Sequence, residues 1–255
     1  MDPNLLSLGF DAIVTELRHA LREALIRKVD THVIEPDPEP SLVCTPGELN
    51  DCTTAQRVEI AMAHAEMLWA MRIVEPPPKH TSALIDELIR GSKGLTWSSA
   101  EVGAGARPNQ PYRRDKFAWC GAFAARCWGE AGLKRAIRRE HCASLWRIYT
   151  FAKGTPRFIT RFADVKRGNI VCIGPEGDAD GAHITLARQD AGASADSLTI
   201  ETVEGNASGL LPDGSRDEGV VHQIRRWYPR GAPGRTYGFR FGVRWLDSDF
   251  ERNAS

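Results

Sequence analysis

Phe117-Ala118-Trp119-Cys120-Gly121-Ala122-Phe123-Ala124-Ala125-Arg126-Cys127-Trp128 is the stretch on which the reading of this chain turns. Its spacing predicts a helix opening at Cys120: Phe123, Ala124, Cys127, Trp128 and Ala131 make an apolar stripe, and Gly132 supplies the stop. A cysteine in a first helical turn is a candidate nucleophile. The free amide hydrogens and partial positive charge of a helix N-terminus favour thiolate over thiol, and thiolate is the reactive species. Arg113, Arg114 and Lys116 just upstream push the same way.

Before this stretch the chain reads as helical. Residues 5 to 29 place Leu6, Phe10, Ile13, Val14, Leu17, Leu21, Leu25 and Val29 on one side, the pattern of an amphipathic helix. The acidic, proline-rich segment Glu35-Pro36-Asp37-Pro38-Glu39-Pro40 cannot continue it and reads as a linker. The domain boundary is therefore expected at 40/41, with an N-terminal arm at 1–40 and one catalytic domain at 41–255, helical over 41–152 and sheet-forming over 160–246. Thr53-Thr54-Ala55-Gln56 has the form of a capping box and opens a helix to about Ile73, ahead of Pro76-Pro77-Pro78. Its expected core side is Met62, Ala65, Leu68, Trp69 and Ile73. His64 and Glu66 match the H-x-E of zinc deaminases only superficially, since no P-C-x-x-C partner exists in the chain, and they read as a helix-surface pair. A short helix near Ser82 to Arg90 and a loop rich in Gly, Ser and Pro from Gly91 to Pro111 lead into the nucleophile region.

After it, a helix is expected from about Glu140 to Ala152, and then the character changes. Asn169–Ile173, Ala182–Gln189, Leu198–Val203, Val220–Arg226 and Tyr237–Trp245 are short β-branched or aromatic runs separated by turn residues. Helices first and strands afterwards predict an α+β domain in which an antiparallel sheet packs against the nucleophile helix.

Composition sets wider limits. The chain has 255 residues, 42% hydrophobic, enough for one generous domain or a domain with an extension. No apolar run approaches the roughly 20 residues that span a bilayer, so no integral membrane segment is expected. The first residues lack a secretory signal pattern. A protein of this kind is expected to be made in the cytoplasm and to act elsewhere only after release or dedicated export, with an export partner or an inhibitor protein among its possible companions. Net charge is zero, yet residues 107–167 carry 15 Lys/Arg against 4 Asp/Glu, while residues 1–106 carry 9 against 16. That asymmetry suits a polyanionic partner or a solvated face equally well, and nucleic-acid binding is not read from it. The six cysteines (Cys44, Cys52, Cys120, Cys127, Cys142, Cys172) form no C-x-x-C and no paired Cys/His zinc spacing, and demand no disulfide framework. Cys127 and Cys172 read as core residues, and Cys44 and Cys52 flank a Pro-Gly turn and could pair in an oxidising medium.

A cysteine nucleophile needs a base, and the base an orienting group. Gly181-Ala182-His183-Ile184-Thr185-Leu186 puts His183 at a strand start, on the face of Thr185. Ile200-Glu201-Thr202-Val203-Glu204-Gly205-Asn206 places Glu204 and Asn206 on a common face, either able to orient the imidazole, with Glu201 pointing away. Gly205 permits close backbone approach there. The acyl oxyanion would be met by the Cys120 amide and by a second donor, for which Tyr112 and Arg114 stand open.

The blocks Trp119-Cys120-Gly121-Ala122-Phe123, Val165-Lys166-Arg167-Gly168-Asn169-Ile170-Val171, Gly181 to Leu186 and Glu204-Gly205-Asn206, in that order, resemble the CHAP family of cysteine amidohydrolases and peptidases, grouped with the NlpC/P60 and papain-like enzymes. The resemblance spans roughly residues 90–210. It implies a papain-like, NlpC/P60-like fold with Cys120 as nucleophile, His183 as base, Glu204 as orienting acid and Asn206 as an auxiliary polar residue. It implies a peptidoglycan substrate, cut as an N-acetylmuramoyl-L-alanine amidase or as an endopeptidase of the peptide stem or cross-bridge, as in a phage lysin or an antibacterial effector. Some members bind calcium through aspartates near the nucleophile; no carboxylate follows Cys120 here, so neither metal nor cofactor is expected. Asn169 stands where the family often has aspartate, and no wall-binding repeat is recognisable. The alternatives are a non-catalytic wall-binding or assembly module of the same fold and a cysteine hydrolase of a non-wall amide.

Overall fold

The computed structural model describes residues 49–75, 85, 88, 119–142, 145–175, 182–193, 198–227 and 237–250. The helix expected at 5–29, the proline-rich segment, the loop at 91–111 and the residues Arg113, Arg114 and Lys116 lie outside them. All described residues belong to the compact unit Val43–Ser255.

Helix α1 runs Thr54–Ala70 and opens as its sequence predicts: Thr53 accepts from the Gln56 amide, and the Gln56 side chain accepts from the Thr53 amide at 2.8 Å. Met62, Ala65, Leu68 and Ile73 are buried as expected, and Trp69 is half-buried. The helix stops short of Ile73. Arg72 takes a left-handed φ of 53°, and Ile73 to Glu75 then lie along strand β6, where Val220 N donates to Ile73 O at 2.8 Å and Glu75 N to Glu218 O at 2.8 Å. Sheet pairing outcompetes a last helical turn that has no further core to cover. His64 and Glu66 are not the expected surface pair. His64 is buried, and Glu66 joins α1 to the sheet by accepting from Arg188 Nε at 2.7 Å and meeting His222 Nε2 at 3.0 Å.

Helix α2 runs Cys120–Glu130, beginning at the predicted residue. It is buried almost all round rather than along a stripe; Arg126 and Glu130, paired at 3.1 Å, mark its one half-exposed edge. A helix apolar on every side belongs inside a core. Its end is fixed by Gly132 at φ +83°, with Leu133 N bonding back to Trp128 O at 3.0 Å, and by the buried Arg57, whose Nη1 donates to Ala131 O at 2.7 Å. The expected helix at 140–152 is two pieces: a π-helical segment Arg138–Cys142 and helix α3, Leu145–Ala152.

Among the described residues seven strands follow: β1 Phe158–Ile159, β2 Ile170–Pro175, β3 His183–Ala187, β4 Gly192–Ala193, β5 Leu198–Leu210, β6 Arg216–Trp227 and β7 Tyr237–Val243. They form one antiparallel sheet in the order β1-β7-β2-β3-β5-β4, with β6 also paired to β5. The molecule is thus α+β, with the expected strand runs in place and β5 and β6 longer than their sequences suggested. Asn169 makes the turn before β2, its Oδ1 accepting from Lys166 N at 2.8 Å.

All five residues of β3 are buried, so both faces of the sheet are covered there. On one face Val171, Ile173, Ala187, Ile200 and Phe239 pack with Ile159, Phe162 and Val165. The pairings Ile173↔His183, Val171↔Thr185 and Ala187↔Thr202 put His183 and Thr202 on that same face. At Gly205 the sheet meets α2 with no room for a side chain: a Cβ there would lie 2.6 Å from Phe123 Cβ and 2.6 Å from Trp119 Cζ3. Gly205→Ala is therefore expected to lower stability by about 1–3 kcal/mol through overpacking, read as a reduced denaturant midpoint. An unchanged midpoint would mean that α2 and β5 are not in this contact.

Candidate active site

The site is built where the start of α2 meets β3 and the middle of β5. Trp119 precedes the helix without a side-chain cap; its indole Nε1 donates to Glu75, at the end of the segment that follows α1. This contact anchors the residue just ahead of Cys120. Cys120 itself is 5% exposed, and its thiol interacts with His183 and with the backbone amides of Ile184 and Gly121. His183, at the first position of β3, turns Nε2 to Glu204 Oε2 at 3.0 Å. With Nε2 taken, Nδ1 is the ring nitrogen left for the sulfur. Cys120, His183 and Glu204, distant in sequence, are thus brought into one line of contacts.

Asn206 is not part of that line. Between Glu204 and Ala207, β5 carries one residue more than β6, because Glu204 pairs with Val221 and Ala207 with Gly219. Asn206 sits in this bulge at φ 59°, half-buried. The bulge breaks the alternation that would have put Asn206 beside Glu204, and no hydrogen bond joins it to Glu204 or His183 among the described residues. Orientation of the imidazole therefore falls to the carboxylate. Tyr112 and Arg114, the open choices for a second oxyanion donor, lie outside the described residues. Glu201 points away as expected, to Arg188 Nη1 at 3.1 Å.

The strand patterns did not predict how Glu204 is itself held. Its side chain is fully buried. Oε1 accepts from Arg225 Nε at 2.7 Å and from Thr202 Oγ1, and Oε2 accepts from Arg225 Nη2 as well as facing His183. Arg225 reaches it from β6, where it stands opposite Ile200 on the same face as Thr202 and Glu204. A buried carboxylate does require a cation or several donors. Which of the many arginines supplies it depends on the β5–β6 register, and the bulge hides that register in the sequence.

The electrostatics follow from these contacts. Burial works against the Cys120 thiolate, but the hydrogen bond and charge of His183, helped by the Ile184 and Gly121 amides, outweigh it and lower the thiol pKa. Burial likewise opposes the charged imidazole, and Cys120 and Glu204 together raise His183 to about 9. For Glu204, burial is overcome by Arg225 and then His183, and the carboxyl falls to about 2. Two other free thiols behave oppositely: with burial the dominant influence, Cys127 lies well above the ordinary thiol range and Cys142 rises to about 12. The contacts of Cys120, His183 and Glu204 favour a thiolate beside an imidazolium, with a carboxylate and a guanidinium behind the ring. The arrangement can present a nucleophilic sulfur with an acid beside it.

Two outcomes are expected. Cys120 should be alkylated by iodoacetamide below the pH at which an ordinary thiol reacts. In His183→Ala its midpoint should move above the ordinary value of roughly 8.5, because burial then acts with little opposition; mass mapping of the Cys120 peptide across pH reads this, and coincident profiles would contradict it. Because the folded Glu204 pKa is depressed, its contribution to stability is complete above the ordinary value of 4.5 and is lost as pH falls toward about 2. Denaturation at a series of pH values should therefore show a shallower acid slope in Glu204→Gln than in the wild type. No family model, curated protein or solved structure matches this chain.

Proposed function

We propose that the protein is a cysteine-dependent amidohydrolase of papain-like, NlpC/P60-like kind that acts on peptidoglycan. The observation that carries the reading is the contact line Cys120–His183–Glu204, with the cysteine at the first turn of a buried helix. A binding module has no chemical need for a depressed thiol coupled to a raised imidazole, whereas acyl transfer needs both. The order of the residue blocks resembling the CHAP family points to the wall substrate.

In this mechanism the Cys120 thiolate attacks the amide carbonyl carbon, and the carbonyl π electrons move to oxygen. The oxyanion is met by the Cys120 backbone amide, which its place at the helix start leaves without an intrahelical partner. The tetrahedral intermediate collapses as His183 gives its proton to the leaving nitrogen, forming a thioester and a free amine. Neutral His183 then takes a proton from water, the hydroxide adds to the thioester carbonyl, and the sulfur leaves as thiolate with the acid as product. Glu204 holds the ring so that one nitrogen faces the sulfur throughout, and stabilises the imidazolium in both steps.

Cys52 is disulfide-bonded, whereas Cys120, Cys127, Cys142 and Cys172 are free thiols. A disulfide favours work in an oxidising compartment, as expected of an enzyme that reaches the wall after release or export. Among the described residues no helix is long and apolar enough to cross a membrane.

Purified protein incubated with sacculi should release soluble fragments, and Cys120→Ala should lower the rate by about 10³-fold or more. Mass analysis of the new termini distinguishes an amidase, which frees the L-alanine amine from the muramic acid lactyl group, from an endopeptidase. Sacculi of several wall chemotypes left equally intact by wild type and Cys120→Ala would remove peptidoglycan as the substrate.

A further inference from the structure

Arg225 is the charged residue whose placement the three-residue contact line does not account for. It lies on β6, six strand positions beyond Gly219 in the chain's bulged pairing with β5, and is partly exposed, with side-chain accessibility 29% against 0% for Glu204. A surface arginine could spend its charge in water. Here its guanidinium turns inward and grips both oxygens of a carboxylate that has no solvent of its own.

We infer that Arg225 is a positioning residue of the catalytic machinery, a fourth member that fixes Glu204 in the one orientation from which it can hold His183. This rests on the reading of Cys120 as a His183-activated nucleophile, and extends it by one further shell of charge. The geometry carries the inference. Glu204 Oε2 is shared between His183 Nε2 and Arg225 Nη2, and Oε1 between Arg225 Nε and Thr202 Oγ1, so every donor around the carboxylate constrains its plane. The two-pronged arginine contact sets that plane in a way a point charge would not. With the plane set, the direction of the Nε2 contact is set, and with it the direction in which the opposite ring nitrogen meets the sulfur.

Charge supports the same assignment. With Cys120 as thiolate, Cys120 from α2, His183 from β3, Glu204 from β5 and Arg225 from β6 make two anions and two cations, neutral as a group. Of the other carboxyls, Glu75 is engaged by Trp119, and Glu201 is held on the opposite face by Arg188. Removing Arg225 leaves the group with a net negative charge, which opposes formation of the thiolate. It also frees the Glu204 carboxylate to turn from His183.

The test is the pH profile of Cys120 alkylation by iodoacetamide in the full-length protein, which needs no wall substrate. Arg225→Gln should raise the midpoint of the acid limb by about 1 pH unit, and Arg225→Lys, which restores charge without the two-pronged contact, should fall between Gln and wild type. In turnover of sacculi both variants should lose kcat with KM little changed, since Arg225 touches no substrate. A merely structural role would lower the denaturation midpoint and leave the alkylation midpoint of the folded fraction where it was. Should Arg225→Gln not fold, Arg225→Lys decides alone: a raised midpoint supports the assignment, and one equal to wild type overturns it. A wild-type midpoint no lower than that of an ordinary thiol would instead overturn the nucleophile reading on which the assignment stands, so the two failures are distinguishable.

Discussion

A carboxylate with no access to water governs this molecule. Glu204 is fully enclosed, and an ionised carboxyl in such a place is costly unless other groups supply what water would have. Thr202, Arg225 and His183 do so from three directions. The arrangement of strands is what makes those directions available: Thr202 is on the same strand two residues back, Arg225 on the neighbour to one side, and His183 on the neighbour to the other. The charge is thereby handed on, through the imidazole, to a sulfur at the end of a helix. Remove the burial and the same groups would be solvated ions with little hold on one another; remove the partners and the carboxyl would take up a proton.

The rest of the fold keeps the sulfur at the end of that line. Helix α2 is buried on nearly every side, so its position is set by packing and not by its own propensity. Gly205 lets β5 come against Trp119 and Phe123, which brings the helix start down onto the strand that carries Glu204. At the other end, Arg57 bonds the Ala131 carbonyl and lies over the Phe250 ring, with its centre 4.5 Å from the ring centroid. Asp249, just before Phe250, is held by Arg157 through Nε at 2.9 Å. Both ends of the helix are therefore tied, one by close approach of backbone and the other by a buried guanidinium.

Much of this is legible in the sequence. The capping box at Thr53, the helix start at Cys120, its stop at Gly132, the strand of His183 and the tight approach at Gly205 all follow from local rules, because each is decided within a few residues. The failures share a cause as well. Asn206 misses the site because a bulge inserts one residue, and the strand period of two carries no sign of it. Arg225 cannot be picked out in the sequence because its contact with Glu204 depends on which rung of β6 faces which rung of β5. His64 and Glu66 are no surface pair because His64 is buried and Glu66 reaches Arg188 and His222, contacts between α1 and the sheet that are non-local. The end of α1 gives way to pairing with β6 for the same reason. Local chemistry can be read along a chain; register between distant strands cannot.

The account stands on Cys120 and His183 sharing their proton as thiolate and imidazolium, held so by Glu204. Nitrogen-15 NMR of the His183 ring at neutral pH observes that charge state directly. Both ring nitrogens should carry protons, with loss of one only as pH rises through about 9, and in Cys120→Ala the ring should become neutral at lower pH. A His183 ring that is neutral at pH 7 in the wild type, and unchanged in Cys120→Ala, would contradict the account.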